Sequence, residues 1–147
     1  MANPFLYADV AENATTDLPL LQEVAMDFNT GNILLDVNGE PRVVTENDAL
    51  KVWIYKALKT ERFRHNAYVH GLYYEKANFG VELEQFIGRK PNNEISANEI
   101  KRYIYDGLIV NPYITSIEAI DIVVIDHYKV EYRLELTSVY GEVNMIV

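Results

Sequence analysis

The stretch IEAIDIVVIDHYKVEYRLEL, residues 117–136, decides the fold class because it holds two strand patterns separated by a turn. Residues 117–125 are almost entirely apolar and rich in β-branched side chains, which predicts a central strand buried on both faces. Asp126-His127-Tyr128 predicts the turn. Residues 129–136 alternate between charged and apolar side chains, which predicts a strand with one face in water.

The last part of the chain is rich in apolar residues, but after Leu136 most of them stand at odd-numbered instead of even-numbered positions. The apolar positions that fall out of step with the preceding strand are Val139, Val143, Met145 and Val147. We therefore expect a bulge or bend near Ser138. If such a strand lies at the edge of a sheet, its unpaired backbone groups are either a liability or a docking surface.

Two helices are predicted in the middle of the chain, before the clearest one. Thr45 is the expected N-cap of the first, with Asp48 three residues on. The apolar side chains at helical spacing behind this cap are Leu50, Trp53, Ile54, Ala57 and Leu58. The second helix is predicted from about Phe79, with Gly88 as its C-terminal stop.

The third predicted helix carries the clearest signal in the sequence. Ser96 and Glu99 fit a capping box, and Ile95 and Ile100 stand where a hydrophobic staple belongs. The helix should end near Asn111-Pro112, because proline disfavours helical geometry in the residue before it.

The N-terminal part predicts an extended arm followed by a β-hairpin. Residues 1–24 contain two prolines and no sustained period, so we interpret them as the arm and residues 25–147 as one small domain. Asn38-Gly39 suits a type I′ turn between residues 32–36 and 42–44. Strands, then about three helices, then antiparallel strands make the predicted fold class α+β.

The composition argues against nucleic acid and membranes as partners of the protein. The chain of 147 residues has 22 Asp and Glu against 13 Lys and Arg, a net charge of −9, so nucleic acid is not an expected partner. Cysteine is absent, which excludes disulfides and cysteine-ligated zinc. We predict no signal peptide, and no apolar run approaches the roughly 20 residues of a membrane helix. We therefore expect a protein made in the cytoplasm, without a membrane partner.

The basic stretch KALKTERFRHNAYVHG, residues 56–71, raises the question of a catalytic or metal site. Its histidines belong to no HExxH or carboxylate–histidine motif, so neither a metal nor a cofactor is predicted. Its lysines complement the negative end of the first helix. Thr60-Glu61-Arg62-Phe63 is left without such an explanation, and we expect Glu61 and Arg62 to organise the fold or an interface.

Several segments together resemble a known family. Residues 49–58 followed by Thr60-Glu61-Arg62-Phe63, then residues 78–84 and Ile87-Gly88, are similar to the sheath initiators. These are small baseplate wedge proteins of contractile phage tails and phage-tail-like particles, related to a type VI secretion baseplate protein long labelled lysozyme-like. The resemblance covers about residues 26–147 and includes a closing stretch, TSVYGE, at residues 137–142.

The resemblance implies a structural protein rather than an enzyme. Members have a sheath-like handshake fold, and their strands pair with those of sheath subunits to template the first sheath ring. The implied partners are the sheath protein, baseplate wedge proteins and tail tube or hub proteins, with several copies per particle in a ring of six. The implied location is the baseplate of a virion or a phage-tail-like particle, after synthesis in the bacterial cytoplasm.

The residues themselves leave two other functions open. One is a peptidoglycan-cleaving, lysozyme-like glycosidase, because 22 acidic residues provide many carboxylate pairs and no single pair is evidence. The other is a free-standing adaptor domain of the same small fold.

The predicted site is an interface with partner proteins, without catalytic residues or metal ligands. Its expected residues are Glu61, Arg62, Phe63, Asn111, Pro112, Tyr113, Val139, Tyr140, Val143, Met145 and Val147. The wider family has Glu-Pro-Arg after the third helix, a motif that contacts the wedge core. Here that place reads Asn111-Pro112-Tyr113, which keeps only the proline.

Overall fold

Two antiparallel sheets and two α-helices form the part of the chain that the structure describes. The structure is a computed structural model and describes residues 18–61, 79–86, 94–126 and 129–147, with the backbone alone at 94–96 and 126. In chain order the elements are β1 (Gln22–Val24), β2 (Val43–Thr45), α1 (Glu46–Lys59), a 3-10 turn (Glu84–Phe86), α2 (Glu94–Leu108), β3 (Ile114–Asp126), β4 (Lys129–Ser138) and β5 (Gly141–Ile146). The predicted α+β class is confirmed.

Residues 22–45 fold into a small antiparallel unit, called the N-terminal unit below. β1 pairs with β2, and a ring of three backbone hydrogen bonds closes the unit behind them. Ala25 donates to the Arg42 carbonyl at 2.8 Å, Arg42 to the Leu34 carbonyl at 2.9 Å, and Leu34 to the Ala25 carbonyl at 2.9 Å. Each short segment is thereby bonded to both of the others.

The predicted hairpin is present in this unit, but its turn is not type I′. Asp36 donates to the Glu40 carbonyl, and Gly39 donates to the Asp36 carbonyl, which makes a three-residue loop. Gly39 has φ +81°, whereas Asn38 lacks the positive φ that type I′ requires. The Asp36 carboxylate also accepts from the backbone N–H groups of Asn38 and Glu40, which stabilises the longer loop.

Helix α1 follows directly from the N-terminal unit, with Thr45 at its N-cap as predicted. The Thr45 side chain makes no cap hydrogen bond. Instead Glu46 takes a left-handed conformation, φ +56°, and its N–H donates to the Leu21 carbonyl at 3.0 Å. A backbone carbonyl just before β1 therefore accepts a hydrogen bond from the first N–H group of this helix.

The helix predicted from Phe79 is wrong over the described residues 79–86. Val81 N–H donates to the Thr60 carbonyl at 3.0 Å, and Gly80 has φ +104°, outside the right-handed helical region. Only the 3-10 turn follows, and the predicted stop at Gly88 lies outside the described residues. Backbone pairing with the end of α1 overrides the local helical pattern.

This segment lies directly on α2, and Gly107 makes the close approach possible. A Cβ at Gly107 would lie 2.6 Å from Val81 Cγ2 and 3.0 Å from the Gly80 carbonyl oxygen. Val81 is itself buried, with 1 % of its surface exposed. The glycine therefore serves packing between two elements rather than a turn.

Helix α2 begins at Glu94, so the capping box predicted at Ser96 is wrong. Ser96 lies within the first turn of the helix and not at the position before it, where a capping residue belongs. Ile100, Ile104 and Leu108 of this helix are buried. The helix ends at Leu108, shortly before Asn111-Pro112 as expected.

The C-terminal sheet is an antiparallel meander in the order β3-β4-β5, so β4 is its central strand. The prediction that residues 117–125 form a central, doubly buried strand is wrong, because β3 lies at an edge. Val124 and Ile125 are each 52 % exposed. The alternation predicted for β4 is confirmed at Leu134 and Leu136, which are buried between exposed Arg133 and Glu135.

The change of parity after Leu136 marks a hairpin turn rather than a bulge. Ser138 pairs with Gly141, and Val139 and Tyr140 form the loop between β4 and β5. Gly141 has φ +115°, which suits a tight reversal. β5 then runs along the free side of β4, and the register shifts of the sheet lie between β3 and β4.

The hydrophobic core lies between the two helices and one face of this sheet. Its most deeply buried large side chains are Leu50, Ile54, Val81, Ile104, Leu108, Leu134, Leu136 and Val143. Burying each such side chain stabilises the fold by about 1.5–3 kcal/mol. Side chains of both helices, of β4 and of β5 enclose it, together with Val81.

Candidate interaction surfaces

Glu61 joins the end of α1 to the segment that follows Phe79. Its Oε2 accepts hydrogen bonds from the backbone N–H groups of Leu83 at 3.1 Å and Glu84 at 3.0 Å. These are the first N–H groups around the 3-10 turn, so the carboxylate acts as a cap supplied from elsewhere in the chain. Arg62 and Phe63 lie outside the described residues, and a partner contact at Glu61 stays a prediction.

Asn111-Pro112-Tyr113 forms the turn from α2 into β3. The Asn111 side chain is buried, and its Oδ1 accepts from the Tyr113 N–H at 2.9 Å. The Asn111 carbonyl accepts from Ile114 at 3.1 Å, so this residue serves the turn itself. Pro112 is exposed beside it, which leaves the proline as the member of the triplet available to a partner.

Tyr113 and Tyr140 hold the chain ahead of β1 against the C-terminal sheet. Their rings stack with centroids 6.1 Å apart and planes 16° apart. The Tyr113 hydroxyl donates to the Pro19 carbonyl at 2.6 Å, and the Tyr140 hydroxyl accepts from the Leu21 N–H at 3.0 Å. Burial and, to a lesser degree, the neighbouring Tyr140 raise the pKa of Tyr113, so its hydroxyl remains a donor at neutral pH.

The predicted interface residues of the C-terminal hairpin divide between the core and the loop that precedes β5. Val143 and Met145 are buried in this chain's own core, whereas Val139 is 45 % exposed in the hairpin loop. Tyr132 and Val147 exchange two backbone hydrogen bonds, at 2.8 and 2.9 Å. Because bonded and non-bonded pairs alternate along an antiparallel ladder, every second residue of β5 points its backbone groups outward.

The outward-pointing residues of β5 are Glu142, Asn144 and Ile146, each opposite a β4 residue in a non-hydrogen-bonded pair. Ile146 is also 58 % exposed. In the part of the chain that the structure describes, no strand covers this side of β5. The edge therefore offers backbone donors and acceptors, while Val143 and Met145 can contribute to a partner only indirectly, by fixing the strand.

The lysines of the basic stretch have local partners. Lys56 Nζ lies 2.6 Å from Glu23 Oε2, and Lys59 Nζ lies 5.7 Å from the centre of the Tyr55 ring. Both lysines line an open pocket of about 420 Å³ with Trp53 and Phe79. Among the described residues, no group of histidine and acidic side chains is placed to hold a metal ion. Neither described helix is long and apolar enough to cross a membrane.

The comparison with protein families decides the broad assignment. The family of contractile injection system sheath initiators matches residues 22–141, which is most of the chain. The chain belongs to this family. The match begins at β1 and ends at Gly141, so it includes both helices and the strands β1 to β4, but only the first residue of β5.

Membership places the protein among the structural components of contractile injection systems. Such a component belongs to a phage tail or baseplate and interacts with sheath and baseplate proteins. No curated protein matches the chain.

One exposed surface of this family member was not predicted from the sequence. Ile33, Leu35, Val37 and Val43 of the N-terminal unit are all more than half exposed. The sequence pattern assigns the apolar run at residues 33–35 to one side of the predicted β-hairpin and gives it no role in binding. The structure leaves it facing outward.

Proposed function

We propose that the protein links the baseplate to the first ring of sheath subunits and templates sheath assembly by strand pairing at β5. The observation that carries the proposal is the free edge of β5 in a chain that belongs to the sheath-initiator family. An edge strand is a ready template for an added strand, and main-chain hydrogen bonds supply the affinity in such complexes.

The edge is rigid enough to act as a template. Val143 and Met145 anchor β5 in the core, and the pairing with β4 runs without a register shift from Arg133–Ile146 to Ser138–Gly141. Glu142, Asn144 and Ile146 each present one N–H and one carbonyl on the free side. A sheath strand would therefore pair with a β5 strand that β4 already holds in one register.

We propose the contact with wedge proteins at the C-terminal end of α2, where the helix meets the turn into β3. Pro112 is exposed there, and Val110 next to it is 43 % exposed, so two apolar residues stand together at the surface. Asn111 holds this turn from within. Wedge proteins would bind the exposed pair and the neighbouring tail tube or hub would bind adjacent surfaces, in a ring of six copies.

Two carboxylates of the described residues differ from the general acid of a glycosidase. A glycosidase needs a general acid whose pKa is raised by its surroundings. Hydrogen bonds from Ser116 and Thr137 lower the pKa of Glu118 instead, and bonds from Asn29 and Thr30 lower that of Asp27. In the described pocket, Glu23 is paired with Lys56. Glu118 and Asp27 therefore lack the raised pKa that a general acid needs.

The test replaces Asn144 by proline, which removes an outward N–H of β5 without breaking its pairing with β4. Deleting residues 139–147 would be a poor test, because it would remove Val143 and Met145 from the core. Asn144→Thr is the matched control, since it alters the side chain and keeps the N–H.

Baseplates carrying Asn144→Pro should form with a normal amount of this protein but should bear few or no sheaths. Baseplates carrying Asn144→Thr should bear sheaths of normal length. Electron microscopy of particles and immunoblots of isolated baseplates measure both quantities. Sheaths of normal number and length on Asn144→Pro baseplates would refute templating through β5.

A further inference from the structure

The N-terminal unit has an exposed apolar edge of its own, called the 33–35 edge below. Ile33, Leu34 and Leu35 are 53 %, 39 % and 56 % exposed. Val37 at the tip of the turn is fully exposed, and Val43 on β2 is 62 % exposed. Single exposed apolar residues are ordinary, but several in one short hairpin mark an interaction surface.

The backbone of this edge is also turned outward. The Leu34 N–H donates to the Ala25 carbonyl, and the Leu34 carbonyl accepts from the Arg42 N–H. Both backbone groups of Leu34 therefore point into the N-terminal unit. Ile33 and Leu35 therefore point the same groups the other way, since successive residues of a strand alternate. In the described part of the chain, no backbone hydrogen bond is made by Ile33 or Leu35.

The two isolated β-bridges of this segment, Met26–Ile33 and Leu35–Pro41, confirm that the backbone groups of Ile33 and Leu35 point outward. Met26–Ile33 is flanked by the bonds of Leu34 to Ala25 and of Asp27 to the Asn32 carbonyl, so it is a non-hydrogen-bonded pair. Leu35–Pro41 is flanked in the same way by the bonds of Arg42 and Asp36. An extended segment laid along this edge would meet two donors and two acceptors.

The charge around the edge indicates what kind of segment fits. The N-terminal unit, residues 22–45, contains four carboxylates and one guanidinium, a net charge of −3, and one of these carboxylates, Glu23, is paired with Lys56. The guanidinium is that of Arg42, and the carboxylates include Asp36 and Glu40 at the turn beside the edge. Two copies of such a unit repel each other, whereas a cationic segment is attracted to it.

We propose that the 33–35 edge binds an extended, apolar segment of another protein that carries lysine or arginine at alternate positions. The added strand would bond to the backbones of Ile33 and Leu35. Its apolar side chains would cover Ile33, Leu35 and Val43, and its cations would lie near the carboxylates of the turn. This site is separate from β5 and does not depend on the templating role proposed above.

The probe is a capped peptide of about seven residues in which lysine and valine alternate, a length that spans the edge with two residues to spare at each end. The full-length, isotope-labelled protein is titrated with this peptide, and backbone amide signals are followed by NMR. The amides of Ile33 and Leu35 should shift and become protected from hydrogen exchange. The same peptide with glutamate in place of lysine should bind about tenfold more weakly or not at all.

Leu35→Pro tests the backbone contact. It removes an outward N–H that no group in the described chain accepts, so the fold should persist, and circular dichroism and the melting temperature check this. Affinity for the lysine–valine peptide should fall about two- to thirteenfold, the effect of losing one hydrogen bond. Val124→Thr is the control, because Val124 is exposed on β3, outside the N-terminal unit, and its substitution should leave affinity within about twofold.

Three results would overturn the proposal. The first is shifts confined to β3 or β5, which would place strand addition at the C-terminal sheet. The second is an affinity that does not depend on the contact: the lysine and glutamate peptides bind equally well, or Leu35→Pro binds the lysine peptide as tightly as the unchanged protein does. Absence of any binding counts equally against the proposal. The third is a dimer in sedimentation analysis that Leu35→Pro dissociates, which would make a second copy the occupant.

Discussion

The contact between Gly107 and Val81 gives a stability prediction whose size follows from the structure. In Gly107→Ala the new methyl group would lie 2.6 Å from Val81 Cγ2 and 3.0 Å from the Gly80 carbonyl oxygen. Val81 is enclosed in the core, so its side chain has no space to rotate into. The segment around Gly80 and Val81 must move away from α2.

Two opposing effects set the magnitude. Overpacking a core position costs about 1–3 kcal/mol, and here the obstacle includes backbone, which places the cost in the upper part of that range. Replacing glycine by alanine inside a helix returns about 1 kcal/mol. The free energy of unfolding should therefore fall by about 1–2 kcal/mol, which lowers the melting temperature of a chain of this size by about 2–8 °C.

A double-mutant cycle separates this clash from other effects of the methyl group. Val81→Ala removes Cγ2, and alone it should cost about 1.6 kcal/mol for two buried methyl groups plus a cavity contribution. Gly107→Ala added to Val81→Ala should be close to neutral, a coupling of about 1–2 kcal/mol. Urea titration measures all four variants. Additive losses, or a Gly107→Ala variant as stable as the unchanged protein, would refute the packing argument.

The other predictions concern hydrogen bonds and charge. Glu61→Ala removes the acceptor of two backbone N–H groups and should lower the unfolding free energy by about 1–2 kcal/mol, with Glu61→Gln losing less because it keeps one oxygen; urea titration checks both, and equal losses would contradict the capping role. Tyr140→Phe should speed hydrogen exchange of the Leu21 amide about fivefold or more while leaving amides of β4 unchanged; unchanged exchange at Leu21 would show that the hydroxyl does not hold this segment. Glu118 and Asp27 have pKa values below their ordinary range because hydrogen bonds favour the ionised forms, so the stability they add is present above the unfolded pKa, about 4, and is lost as pH falls through the folded value. Melting temperatures below about pH 4 should therefore decline less steeply in Glu118→Gln, and parallel profiles would contradict this.

Strong local periodicity was sufficient to predict several elements. The stripe that starts at Leu50 and the alternation around Leu134 both appear in the structure, because each pattern already states which face will be buried. The glycine at 39 was correctly placed in a turn. The turn type was not, because the Asp36 side chain selects a longer loop through bonds to nearby N–H groups.

The predictions that failed depended on tertiary contacts. Residues after Phe79 carry a helical pattern, yet Thr60 and Glu61 accept hydrogen bonds from their N–H groups and keep the first part out of a helix. β3 is apolar enough for a central strand, but no further strand of the described chain adds to it. An apolar strand that remains at an edge is consistent with a protein that completes its contacts in an assembly.

The candidate site was partly accessible from sequence. Glu61 was expected to connect α1 with the loop near Phe79, and the atom that makes the connection became evident only from the structure. The 33–35 edge was missed because sequence indicates that a residue is apolar but not whether a neighbour covers it. The interface roles of the other predicted residues stay predictions.

The central claim is that β5 pairs with a strand of the sheath, and a cryo-electron microscopy map of the baseplate with its first sheath ring tests it most directly. The account predicts a sheath strand alongside β5, bonded to the backbones of Glu142, Asn144 and Ile146. A first sheath ring that contacts this protein while that edge of β5 faces solvent would contradict the account.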